Sequence, residues 1–132
     1  MKSLVVEDEF VARSVLQRFL ARYGECDVAV DGDEAIDAVT RAIENSAAYD
    51  LVCLDIGLPK LDGQGVLEHI RALELGRGIQ LGQGCRVIMT TVATATDQVM
   101  GAFRGGADAY LNKPISLDSL TRELEALRLV TP

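Results

Sequence analysis

The chain has 132 residues, enough for one compact domain with a single core and too few for a second folded unit. Hydrophobic residues make up 48% and no apolar run approaches the ~20 residues that cross a bilayer, which excludes a disordered segment and a membrane-spanning one. A net charge of −7 lacks the basic footprint of a nucleic-acid binder, so no direct nucleic-acid role is expected.

Acid follows Met1 too soon for a signal peptide, so a cytoplasmic location is expected. Cys26, Cys53 and Cys85 are an odd count without metal-ligand spacing, and read as buried small hydrophobes in a reducing compartment.

Leu4, Val5 and Val6 form the first short apolar run, which ends on Glu7, Asp8 and Glu9. A helix follows, its apolar residues Phe10, Val11, Val15, Phe19, Leu20 and Tyr23 recurring at three- and four-residue intervals until Gly24. Residues 26–30 make a second strand. Asp31 then caps a helix, with Glu34 three positions on, and Ala35, Ile36, Val39, Ala42 and Ile43 supply its buried stripe. Leu51, Val52, Cys53 and Leu54 are continuously apolar, as a strand covered on both faces requires. That run stops abruptly on Asp55, and Gly57 and Pro59 break regular structure.

Asp62-Gly63 opens a third helix, buried through Val66, Leu67, Ile70 and Leu73. Residues 74–85 carry four glycines and no period. They follow a helix and precede a strand, the reverse of a nucleotide-binding turn, and so read as a flexible surface insertion. Residues 86–91 form a fourth strand ending on Thr90 and Thr91. A helix starting near Thr94 or Thr96 would bury Val99, Met100 and Phe103. Residues 107–112 make a fifth strand ending in Lys113-Pro114, and Ser116 caps a last helix with Leu117, Leu120, Leu124 and Leu127 inward.

Five short buried strands alternating with five amphipathic helices define a doubly wound α/β fold, (βα)5, with an all-parallel five-stranded sheet. Right-handed crossovers leave the flavodoxin-like strand order 2-1-3-4-5 as the expectation, with residues 1–132 as one domain and no separate output domain.

That order gathers the carboxyl ends of strands 1, 3, 4 and 5, and with them Glu7, Asp8, Asp55, Thr90 and Lys113. Asp55 alone reads equally well as a turn-capping acid; its partners decide. Three converging carboxylates repel one another unless a cation relieves them, and hard oxygen donors suit Mg²⁺. Lys113 offers a point charge and Thr90 a hydroxyl donor for phosphate oxygens. Asp55 would then be a nucleophile that becomes an acyl phosphate.

Here the chain resembles the receiver domains of two-component response regulators over essentially its whole length. The matching pieces are LVVEDE with Glu7-Asp8, LDIGLPKLDG with Asp55, IMTT with Thr90, and YLNKPI with Tyr110, Lys113 and Pro114. The ECDVAVDGDEA segment and the glycine-rich insertion resemble short, chemotaxis-regulator-like members built of a receiver alone. The resemblance implies that Asp55 accepts a phosphoryl group from a sensor histidine kinase or a histidine phosphotransfer protein. It implies Mg²⁺ held by Asp8, Asp55 and the backbone carbonyl of Gly57, with Glu7 acting through a bound water. Lys113 would bind phosphate, the Lys113–Pro114 peptide would be cis, and Thr90 with Tyr110 would form a switch pair. The face made by the helix after strand 4, strand 5 and the last helix would signal to a downstream protein partner. The protein would be a monomer or a phosphorylation-dependent dimer, and would catalyse only its own phosphorylation and dephosphorylation.

Two positions depart from common family usage. Gly57 and Val92 line the approach of attacking water and neither can orient it, so slow self-dephosphorylation is expected. Glu7 in place of Asp is a mild change. His69 reads as a solvent-exposed or partly packed histidine, and Arg71, Arg77 and Arg104 as surface charges. A dehalogenase-like phosphatase would need an acid where Gly57 stands, and an FMN module would need hydroxyls where the chain has EDEF, so both readings rank below the receiver.

Overall fold

The computed structural model describes residues 1–80, 82–92 and 106–132. Strands β1 (Ser3–Val6), β2 (Cys26–Ala29), β3 (Leu51–Asp55), β4 (Arg86–Val92) and β5 (Ala109–Lys113) form one parallel sheet in the order β2-β1-β3-β4-β5. Helices α1 (Phe10–Leu20), α2 (Gly32–Glu44), α3 (Gly63–Gly76) and α4 (Leu117–Ala126) pack against it. The doubly wound, flavodoxin-like arrangement is therefore the one expected. The helix expected from Thr94 or Thr96, with Val99, Met100, Phe103 and Arg104, lies outside the described residues.

Successive strand residues point to opposite faces, and the sheet divides its core accordingly. Leu4, Val6, Val52, Leu54, Val87 and Met89 pack with α2 and α3. Val5, Leu51, Cys53, Ile88 and Ala109 pack with α1 and α4. Both faces of β1 and β3 are buried, which is why those strands read as continuous apolar runs.

Capping follows the residue types. The Asp31 carboxylate accepts from Glu34 N, and Glu34 reaches back to Val30 N. Asp62 accepts from Gly65 N and Ser116 from Ser119 N, so both helices begin where their caps place them.

Three expectations need correction. In α1, Leu16, Phe19 and Leu20 are buried, whereas Phe10, Val11 and Val15 are 68%, 62% and 49% exposed. The helix carries two apolar stripes on different faces, and the one through Leu16, Phe19 and Leu20 covers the sheet. Leu117 is likewise exposed at the start of α4, ahead of the buried Leu120 and Leu124.

The second correction concerns the glycine-rich stretch. α3 runs on to Gly76, and Glu74 is buried rather than part of a surface loop. The Glu74 carboxylate accepts from Cys85 N at 2.7 Å and from Arg71 Nη1 at 2.7 Å, tying the far end of the insertion back to the helix.

The third is Arg71, expected at the surface. Its side chain is only 12% exposed, and it donates to the carbonyls of Cys85 and Gly106 and to the Asp108 carboxylate. Asp108 in turn accepts from Val87 N at 2.8 Å. A buried acid needs a counter-charge, and this guanidinium supplies it to two acids at once. His69 and Arg77 are exposed as expected. The three thiols are free; Cys53 is buried, and Cys26 and Cys85 are half-buried.

Candidate functional site

The site stands at the carboxyl rim of the sheet, where three strands deliver charged residues to one place. β1 runs out into Glu7 and Asp8, β3 ends on Asp55, and β5 ends on Lys113. Asp55 lies opposite Thr90 in the β3–β4 register, so Thr90 flanks it from the next strand. The strand order brings Glu7 and Lys113, 106 positions apart in the chain, into contact across this rim.

Carboxylate oxygens of Glu7, Asp8 and Asp55 lie within 4.8 Å of one another. Glu7 and Asp55 are buried, at 1% and 6% exposure, while Asp8 is open to solvent. Lys113 Nζ donates to Glu7 Oε2 at 2.8 Å and stands 3.3 Å from Asp55 Oδ2. The other Asp55 oxygen accepts from Gly57 N at 3.0 Å, so the loop after β3 folds back onto the acid.

These contacts leave a local excess of negative charge: three acids face one ammonium. Burial pushes the Glu7 carboxyl above the ordinary carboxylate range, and the Asp55 charge adds to this while the Lys113 hydrogen bond opposes it. Desolvation pulls the Lys113 ammonium the other way, but its bonds to Glu7 and Asp55 win, and its pKa is raised. Lys113 is therefore fully charged at neutral pH. The donor set is all oxygen, two carboxylates are shielded from water, and one neighbouring acid is open to solvent. That chemistry fits a hard divalent cation that keeps part of its water shell.

The structure brings Glu7, Asp8, Asp55, Gly57, Thr90 and Lys113 together, as the sequence pattern requires. Tyr110 lies opposite Met89, is exposed, and sits next to Leu111, the register partner of Thr90. The Lys113–Pro114 peptide is cis.

Two residues have roles that the sequence did not reveal. Glu9 is the N-cap of α1, its carboxylate accepting from Val11 N and Ala12 N. Arg13 Nη1 donates to the carbonyls of Glu7 at 3.0 Å and Asp8 at 3.3 Å, fixing the backbone that carries both acids. Its place one turn after Glu9 was the available signal.

The response regulator receiver domain pattern matches residues 3–125. The chain belongs to that family: it is a receiver domain, the signalling module of two-component systems. Among curated relatives, the transcriptional regulatory protein DltR of Streptococcus agalactiae is 35% identical over 132 residues, covering 99% of this chain and 52% of DltR. The chain spans about half the length of the curated relatives it matches.

Among solved structures, the receiver domain of NtrX from Brucella abortus is 29% identical with a TM-score of 0.78, covering 98% of this chain and 99% of that one. The receiver domain of sensor histidine kinase PA1611 from Pseudomonas aeruginosa is 28% identical with a TM-score of 0.77, covering 98% of each chain. That receiver holds a magnesium ion coordinated in its active-site cleft.

Proposed function

We propose that this receiver accepts a phosphoryl group on Asp55, with Mg²⁺ held by Asp8, Asp55 and the backbone carbonyl of Gly57, and by Glu7 through water. The observation that carries the reading is the convergence of three carboxylates on one ammonium at the sheet rim. The phosphoryl donor is a sensor histidine kinase or a histidine phosphotransfer protein. Bound Mg²⁺ supplies neutralising charge between the acids and the phosphoryl oxygens.

An Asp55 carboxylate oxygen forms the new bond to phosphorus as the phosphorus–nitrogen bond of the donor breaks. The electron pair of that bond stays on the imidazole, which takes up a proton. The site's own residues orient the reaction. The Gly57 N–H holds one Asp55 oxygen, leaving the other directed toward Lys113. Lys113 exchanges part of its contact with Glu7 for a phosphoryl oxygen, and the Thr90 hydroxyl donates to another. Movement of Thr90 then draws Tyr110 inward and changes the face that includes β5 and α4, which a downstream protein reads. In this role the domain turns over no separate substrate.

The exposed stripe of Phe10, Val11 and Val15, with Leu117 beside it, supports a protein donor. A cavity of about 230 Å³ lined by Glu7, Val11, Val15, Lys113 and Leu117 joins that stripe to the acids. Apolar surface beside a charged reaction centre suits a docking partner that carries the phosphoryl group.

Incubation with acetyl phosphate and Mg²⁺ should add the mass of one phosphoryl group to the intact chain, and Asp55→Ala should abolish the gain. An adduct that persists in Asp55→Ala would show another acceptor.

A further inference from the structure

Gly63 is the first residue of α3, and its φ lies outside the left-handed region, so no backbone conformation demands glycine there. Space demands it. A Cβ at Gly63 would overlap the carbonyl oxygen of Asp55 and stand 2.7 Å from Ile56 Cα and 2.9 Å from the Asp55 carbonyl carbon. Carbon atoms at rest sit about 3.5–4.0 Å apart. All three obstacles are backbone, and none can rotate aside as a side chain would.

The Asp55–Ile56 peptide is also held from β4, and the peptide after it from α3. Gly63 N donates to Ile56 O at 3.0 Å, and Ile56 N donates to Thr90 O at 2.9 Å on β4. The backbone carrying the Asp55 carboxylate is therefore gripped between the neighbouring strand and the bare first residue of α3.

We propose that Gly63 is a positioning residue for Asp55. By lacking a side chain it lets α3 seat directly on the Asp55–Ile56 peptide, and this sets where the carboxylate oxygens stand relative to Glu7, Asp8 and Lys113. The assignment rests on the reading of Asp55 as the phosphoryl acceptor. A methyl group at position 63 displaces either the helix or the peptide, and phosphoryl transfer by a positioned nucleophile is sensitive to such a shift.

Gly32, the first residue of α2, is the control. A Cβ there would meet Val66 Cγ2 at 2.8 Å and Leu61 O at 2.9 Å, a milder crowding that also involves backbone but does not touch Asp55. The test compares the unaltered chain, Gly63→Ala and Gly32→Ala by thermal midpoint, by initial rate of mass gain with acetyl phosphate and Mg²⁺, and by the Asp55 carboxyl ¹³C resonance.

Both variants should melt earlier. Gly63→Ala should also slow labelling by about ten-fold or more and move the resonance, while Gly32→Ala stays within about two-fold and leaves it in place. A Gly63→Ala chain that labels like Gly32→Ala, with an unmoved resonance, overturns the proposal. Absence of labelling on the unaltered chain sinks the acceptor reading instead, and the resonance comparison still decides the role of the glycine.

Should Gly63→Ala not fold, the unaltered chain carries the test through its amide resonances on adding Mg²⁺ and beryllofluoride. A Gly63 shift larger than that of Gly65 supports the proposal, and a Gly63 resonance that stays put while those of Asp55 and Lys113 move overturns it.

Discussion

At the scale of single residues, the site depends on charge that is deliberately unbalanced. Glu7 is almost wholly buried and is tolerated because Lys113 donates to it and Glu9 N lies within 3.4 Å of its other oxygen. On the proposed function, the residues expected to set how long a phosphoryl group stays are the ones without polar side chains. Gly57 and Val92 offer nothing to orient water, and Val92 is 58% exposed at the end of β4. The phosphorylated chain is therefore expected to lose its phosphate slowly after acetyl phosphate is removed. Placing a carboxamide at 57 (Gly57→Asn) together with an acid at 92 (Val92→Glu) should speed the loss about ten-fold or more, as read by intact mass against time. Asp55 and the acidic pair were legible in the sequence because each interrupts an apolar run at a strand end, and Lys113 because it stands at a strand end before Pro114. Glu9 and Arg13 were not, because an acid and a base flanking a helix start look the same whether they cap, brace or merely face water.

At the scale of elements, α1 and α3 each carry a feature that periodicity could not sort. Two apolar stripes on α1 lie roughly 150° apart at ~100° per residue, and only packing on the sheet shows which is inward. The outward stripe gives a prediction: Val11→Glu or Val15→Glu should slow phosphoryl transfer from a protein donor at least about ten-fold while labelling by acetyl phosphate is kept, because only the former needs the docking surface. Comparable rates with both donors would remove the stripe from that role. On α3, Arg71 binds Glu74, the Cys85 carbonyl and the segment before β5 into one buried cluster. A Cβ at Gly84 would overlap the Glu74 carboxylate, so the glycine there makes room for the acid. Arg71→Ala leaves Glu74 buried without its cation and should destabilise the fold by about 3 kcal/mol in denaturant titration. Glu74→Gln, which keeps an acceptor, should lose less. In sequence, Arg71 and Glu74 look like an exposed pair three residues apart; their partners at 85, 106 and 108 are what make them interior.

At the scale of the whole molecule, a parallel sheet wrapped on both faces buries polar chemistry along with apolar bulk. Burial pushes the Cys53 and Cys85 thiols up to about 12 from an ordinary 9.0, so the folded chain keeps protons that the unfolded chain has released. The unfolded state then binds fewer protons, and stability must fall as pH rises through that window while remaining unaffected by these groups below it. Denaturant midpoints measured from pH 8 to pH 11 should drop, and Cys53→Ala should show a shallower drop even though its midpoint at pH 8 is lower. What the sequence determined by itself was the alternation of strand and helix, the strand order that alternation permits, and the cluster of acids and lysine at one rim. Those follow from local pattern: where apolar runs begin, how they repeat, and what residue ends them. Which stripe of α1 is covered, why Arg71 is interior, and why Gly63 must be bare were settled only by the tertiary structure. Each depends on the distance between segments far apart in the chain, and periodicity along a chain carries no measure of that distance.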